Sequence, residues 1–218
     1  MNLFSVVVKG GWLMIPIVLC SFIAAAIIIE RWITLRKARM NTRTFMIKLR
    51  SYIIKDNIAE AISLCKNSPG PVAKVLRKGL IKSGKDKEET RESIESAGRE
   101  EIYYLERRLS ILATIAGAAP LLGFLGTVTG MIRAFMQIQS LGGNVNAAVL
   151  AGGIWEALIT TAAGLIVGIP TYIFYNYLFT KVQRFVHEIE HVSNELIDLL
   201  YEEKEDEFKD REQITQHF

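Results

Sequence analysis

The chain has 218 residues, enough for one ordinary domain, and half of them are hydrophobic. Its mean hydropathy of +0.23 is high for a water-soluble fold. The net charge is only +3, which excludes a nucleic-acid surface built on excess basic residues.

Charge is unevenly spread. Residues 10–29, 109–132 and 157–180 carry none. A membrane-spanning helix needs roughly 20 apolar residues at about 1.5 Å each, and all three runs qualify. The expected class is an all-α integral membrane protein with three transmembrane helices. The first run follows only Lys9 and continues past "SFIAAA" into "IIIERW", so it is expected to be an uncleaved span rather than a signal peptide.

Orientation follows from the basic residues. Arg31, Arg36, Lys37, Arg39, Arg43, Lys48 and Arg50 crowd behind the first span. The positive-inside rule therefore puts the N-terminus outside and the following segment in the cytoplasm. The expected organisation is an N-terminal segment and first span at 1–35, a cytoplasmic helical segment at 36–108 and a second span at 109–136. An outer loop at 137–147, a third span at 148–180 and a cytoplasmic helix with a charged tail at 181–218 complete it. Cys20 and Cys65 fall at different depths and read as buried small residues, not a disulfide.

Within the cytoplasmic segment, Ile58–Cys65 predicts a short amphipathic helix. "NSPGPV" (67–72) ends it, and a second helix is expected over 71–83. From Lys87 the pattern turns helical, with Ile102, Leu105, Leu109 and Leu112 on one face. No breaker precedes span two, so one helix of about 50 residues, on the order of 75 Å, is expected, kinked at Pro120. Beyond span three, Val182, Val186, Ile189, Val192, Leu196 and Leu199 form a heptad-like stripe. The two extensions are expected to pair with each other. "EEKEDEFKDREQ" at the end reads as a solvated or frayed tail.

On a helical wheel, Ala116, Ala119, Gly123, Thr127, Gly130 and Ala134 share one face of span two, with Leu121, Leu125, Val128 and Ile132 opposite. In span three, Ala157, Thr160, Thr161, Gly164, Gly168 and Thr171 share an arc, away from Ile159, Ala162, Ile166, Ile169 and Ile173. Such faces let helices approach closely in lipid, each threonine bonding back to its own helix. They could equally present hydroxyls to a shared cavity. Glu156 sits near the outer end of span three, level with Arg133 at the end of span two. It is either a structural salt-bridge partner or a carboxylate on an ion path.

No Asp, Glu, Lys, Arg or His lies between 109 and 132 or between 157 and 180. A proton crossing the membrane needs such a group near mid-depth, and threonine cannot supply it. Proton conduction through this chain would need an acid from a partner.

"APLLGFLGTVTGMIRAF" (119–135) followed by "GGIWEALITTAAGLIVGIP" (152–170) resembles the MotA/TolQ/ExbB proton-channel family. The likeness is strong over roughly 113–175 and lies in the small residues, Pro120, Pro170, the glutamate and the threonines. The three-span plan is similar to the ExbB and TolQ types; the flagellar MotA type, longer and with four spans, fits poorly. The resemblance implies a homopentamer in a bacterial inner membrane, surrounding a dimer of single-span ExbD/TolR-like partners whose aspartate carries the proton. It implies a TonB- or TolA-like energy transducer, and work drawn from the proton motive force for TonB-dependent uptake or Tol-type envelope processes. Thr127 and Thr161 take the places of the family's pore threonines, Glu156 that of its pore glutamate, and Thr160 the neighbouring polar position. Gly123, Gly130, Gly164, Gly168, Pro120 and Pro170 belong to the packing face. No catalytic residue, metal or cofactor is implied, and membrane lipid is the remaining partner. A sodium-driven or surface-motility motor of the same family stays open.

Two other classes are weighed. "HEIEH" (187–191) matches the H-E-x-x-H zinc-protease pattern. Its histidines are expected on the side opposite the apolar stripe, facing solvent, with only Glu195 near them as a further ligand. A passive membrane scaffold would need no threonines in line with a glutamate.

Overall fold

A computed structural model of the chain describes residues 10–140 and 147–215, with the backbone alone for 147–149 and 202–215. The described residues are helical throughout, joined by short turns. The helices are α1 (Met14–Lys37), α2 (Thr42–Ile54), α3 (Ile58–Asn67), α4 (Pro71–Lys82), α5 (Lys87–Glu106), α6 (Leu109–Ser140) and α7 (Ala147–Thr215). Most of the expected outer loop, at 141–146, lies outside the described residues. The backbone of the charged tail is helical as far as Thr215.

Three stretches are long and apolar enough to cross a membrane. The most apolar windows within Met14–Lys37, Lys87–Ser140 and Leu150–Tyr201 have mean hydropathies of 2.1, 1.9 and 1.8. The chain is therefore an all-helical multi-pass membrane protein. It divides into two compact units, residues 1–31 with 108–179, and residues 32–107 with 180–218.

The first unit holds the spans. α1 buries Ile17, Ala24, Ile27 and Arg31, a spacing of three, four and seven that marks one helix face. Phe22, Ile15 and Ile29, off that face, are exposed, as lipid-facing side chains should be. α6 and α7 run antiparallel in close contact along their small residues. A Cβ added at Gly164 would lie 2.5 Å from the Ala119 carbonyl oxygen and 2.9 Å from Gly123 Cα. One added at Gly130 would lie 3.0 Å from Ala157 Cβ, and one at Gly168 2.5 Å from Pro120 Cγ. The small faces found on the wheel are thus consumed by packing between these two helices, where dispersion between close backbones replaces the hydrophobic drive missing in lipid. Leu121, Leu125, Val128, Ile132, Ile166, Ile169 and Ile173 are exposed, on the opposite faces. Both helices continue through their internal prolines, Pro120 and Pro170.

The second unit is a helical core. Asn41 and Asn57 cap α2 and α3, their side-chain oxygens accepting from the Thr44 and Glu60 amides at 3.1 and 3.3 Å. Gly70, at φ +98°, turns the chain into Pro71, the first residue of α4. Leu49, Leu76, Leu80, Ile94 and Leu196 are fully buried, and each contributes about 2 kcal/mol of transfer free energy. Of the expected stripe on α7, Val182, Ile189, Val192, Leu196 and Leu199 are buried and Val186 is half-buried. α5 and α7 do meet: a Cβ at Gly98 would lie 3.6 Å from Ile189 Cγ2. The stripe does not pair with α5 alone, however. α2, α3 and α4 share the same core through Phe45, Cys65 and Val75.

Two expectations are refined. The stretch Lys87–Ser140 is one helix of 54 residues, as expected, but its regularity is interrupted once. A turn at Arg107–Arg108 separates α5 from α6. There the ladder loosens, with Leu112 N 3.5 Å from the Arg108 carbonyl, where charged sequence gives way to apolar. Arg108 is also drawn aside to Glu30 of α1. In addition, Thr42–Ile54 forms a helix where no element was expected. Its buried positions, Phe45, Met46, Leu49 and Ile53, are spaced one, three and four apart, but basic residues dilute the signal.

Candidate functional site

Three polar residues of the spans, Arg133, Glu156 and Thr160, gather at the end of the first unit where α1 begins. Arg133 of α6 donates to Glu156 of α7, Nη1 to Oε1, at 2.8 Å. The arginine side chain is 49% exposed and the glutamate 29%, so the pair is neither sealed nor free in solvent. One helical turn deeper, Thr160 is 1% exposed. Its hydroxyl lies 2.9 Å from both the Gly10 and the Glu156 carbonyl oxygens. Thr160 is therefore turned into the protomer, against α1, and not onto an open face. A Cβ at Gly126 would overlap its methyl group, which shows how tightly it is held.

Thr161 is half-buried and bridges the two helices, its Oγ1 donating to the Gly123 carbonyl at 2.8 Å. Thr127 is also half-buried and bonds back to the Phe124 carbonyl of its own helix at 2.6 Å. The structure brings Arg133, Glu156 and Thr160 together and sets Thr161 and Thr127 beside the helix seam. Gly123, Gly130, Gly164 and Gly168 are in the seam. Pro120 is half-buried and Pro170 exposed.

Each threonine spends its single proton on a backbone carbonyl. What remains on each oxygen is acceptor capacity. Such a group receives a protonated acid more readily than a charged one.

Sequence reasoning missed the Gly10–Gly11 turn ahead of α1. Gly11 has φ +71°, and a Cβ there would overlap Glu156 Oε1. The pair of glycines before Trp12 was the available signal, but nothing in one sequence ties it to residues 145 positions away. Glu30 was missed as well. It sits between Arg31 and Arg108 near the other end of α1, 3.7 Å from Arg31 Nη2.

The histidines of "HEIEH" are 78% and 79% exposed, His187 lying 3.6 Å from Glu190 and His191 3.9 Å from Glu195. Among the described residues no group of three or more His, Cys, Asp or Glu is placed to hold a metal ion.

Three apolar spans, two of them seamed by glycines and edged with threonines, define a multi-pass helical membrane protein with a polar cluster at one end of its spans. The chain belongs to the MotA/TolQ/ExbB proton channel family, whose model matches residues 67–191, more than half its length. An ExbB-like biopolymer transport protein of Synechocystis sp. is 32% identical over 212 residues, covering 94% of this chain and 98% of that protein. The Tol-Pal system protein TolQ of Haemophilus influenzae is 29% identical over 201 residues, covering 86% and 88%. The ExbB protein of Aquifex aeolicus reaches 47% over 79 residues, 36% of this chain and 53% of its own. Membership in a family of channels, not enzymes, sets the zinc-protease pattern aside.

Proposed function

We propose that the chain is the channel subunit of an inner-membrane motor that converts proton motive force into mechanical work. Five copies surround a dimer of single-span, ExbD/TolR-like partners. The N-terminus is outside, and residues 36–108 and 181–218 are cytoplasmic. The work goes to a TonB- or TolA-like transducer for uptake or envelope processes, the relatives' names supporting both branches.

One observation carries the proposal. A chain of a proton channel family has no Asp, Glu, Lys, Arg or His between 109 and 132 or between 157 and 180. The mid-depth acid must therefore be supplied from outside the chain. A partner aspartate sealed in a dry pore is costly when charged and unpaired. Thr161 and Thr127, their protons committed to Gly123 and Phe124, offer lone pairs to the neutral acid. A ring of such acceptors gives the protonated aspartate equivalent resting places as the partner turns. Releasing the proton requires a hydroxyl to rotate and donate, or the acid to reach water. Glu156, on Arg133, stands at the outer end of this path.

The test is proton flux into liposomes. The chain together with an ExbD/TolR-like single-span partner is expected to conduct, and the chain alone is not. Flux from the chain alone would overturn the proposal.

A further inference from the structure

We infer that the Gly10–Gly11 turn is a positioning element for Glu156 and Thr160, which makes this turn ahead of the first span part of the polar site. The functional weight of this rests on those two residues lying on the ion path proposed above.

The geometry is specific. Gly11 adopts the left-handed φ of +71° that glycine takes without strain. Its Cα faces the Glu156 carboxylate. An added Cβ would overlap Oε1, lie 3.3 Å from Cδ and sit 3.7 Å from Arg133 Nη1. The absence of a side chain at Gly11 therefore creates the space in which the carboxylate meets the arginine. Gly10 is buried, and its carbonyl accepts from Thr160 at 2.9 Å. A Cβ at Gly10 would overlap Met14 Cγ and lie 3.4 Å from Ile159 Cγ2. Past the turn, Met14 N donates to the Gly11 carbonyl at 3.2 Å and opens α1. One two-residue turn thus leaves room for a carboxylate at one residue and accepts from a hydroxyl at the other. Without Gly10, Thr160 would hold only its own helix, through Glu156 O, and its side chain would be free to choose another rotamer.

The experiment uses the full chain in lipid nanodiscs. Glu156 is modified with the apolar reagent dicyclohexylcarbodiimide, and its labelling rate is read by mass spectrometry. Gly11→Ala and Gly11→Asn are both expected to raise the rate severalfold, because either Cβ pushes the carboxylate off Arg133. Asparagine tolerates the left-handed conformation. A wild-type rate in Gly11→Asn would mean that only backbone strain matters, and would overturn the inference, as would unchanged rates in both. Where Gly11→Ala does not fold, Gly11→Ala/Glu156→Ala decides. It is expected to fold, since removing the carboxylate clears the Cβ, and its failure would also overturn the contact. Labelling is read on the chain alone, so it stands apart from conduction. A raised rate in a Gly11→Ala complex with normal proton flux would count against Glu156 on the ion path and leave the positioning contact intact.

Discussion

Replacing Thr161 with valine removes one hydroxyl and almost no volume. The methyl groups of valine fill the space of the threonine side chain, so the seam at Gly123 keeps its packing. The bond lost is the 2.8 Å contact from Thr161 Oγ1 to the Gly123 carbonyl. That carbonyl keeps its helical partner, the amide of residue 127, so no backbone group is orphaned. Interhelical side-chain bonds in membranes contribute about 0.6 kcal/mol on average and about 1.7 at most. The folded chain should therefore survive, with a small drop in its unfolding midpoint in detergent. Conduction should not survive, because an acceptor for the partner's protonated acid is gone. The assay is dye-reported proton flux in liposomes holding the chain and its partner, run beside Thr161→Ser. Serine keeps the hydroxyl and loses the methyl, so it is expected to conduct despite a comparable or larger loss of stability. Normal flux in Thr161→Val, or equal loss in both variants, would refute the hydroxyl argument.

Two further outcomes test the packing. Gly164→Val places a branched side chain 2.5 Å from the Ala119 carbonyl and 2.9 Å from Gly123 Cα, both backbone atoms that cannot swing away. A destabilisation of at least about 1–3 kcal/mol is expected, read as lost folded yield in detergent; a wild-type yield would contradict the seam. Cys65 is buried in the helical core, and that burial pushes its thiol up to about 12, against a smaller opposing pull from Arg77. At pH 8 its alkylation should be slower than in the unfolded chain by on the order of a thousandfold. Its folded value is raised above the unfolded one, so stability is held below about pH 8.5 and falls as pH rises toward the folded value. Cys65→Ala should flatten that part of the profile.

The three spans were legible because each is a long uncharged run, a signal that local context cannot disguise. The small faces were legible for the same reason, and the ion pair of Arg133 with Glu156 followed from hairpin depth. Their use was less so. A wheel shows that Thr160 shares a face with Gly164, but not that Gly10 takes its hydroxyl, since that contact joins residues 150 positions apart. α2 escaped notice because the exposed Arg43, Lys48 and Arg50 alternate with its apolar residues along the sequence and read first as a topology signal. The turn at Arg107–Arg108 has no breaker residue. Arg108 there pairs with Glu30, a contact that no local pattern points to.

The prolines of the paired spans have a mechanical consequence. Lacking an amide proton, Pro120 removes the i+4 donor of the Ala116 carbonyl, and Pro170 that of the Ile166 carbonyl. Gly168, two residues from Pro170, packs directly on Pro120. The missing rungs of both ladders therefore fall at nearly one level of the helix pair. Bending is easiest where a ladder is incomplete, so compliance is pooled in a single zone. On one side of it, Arg133, Glu156, Thr160 and Thr161 are tied to one another and to Gly10 and Gly123, and should move as a single rigid piece. A swing at the hinge would carry the whole polar cluster without rearranging it.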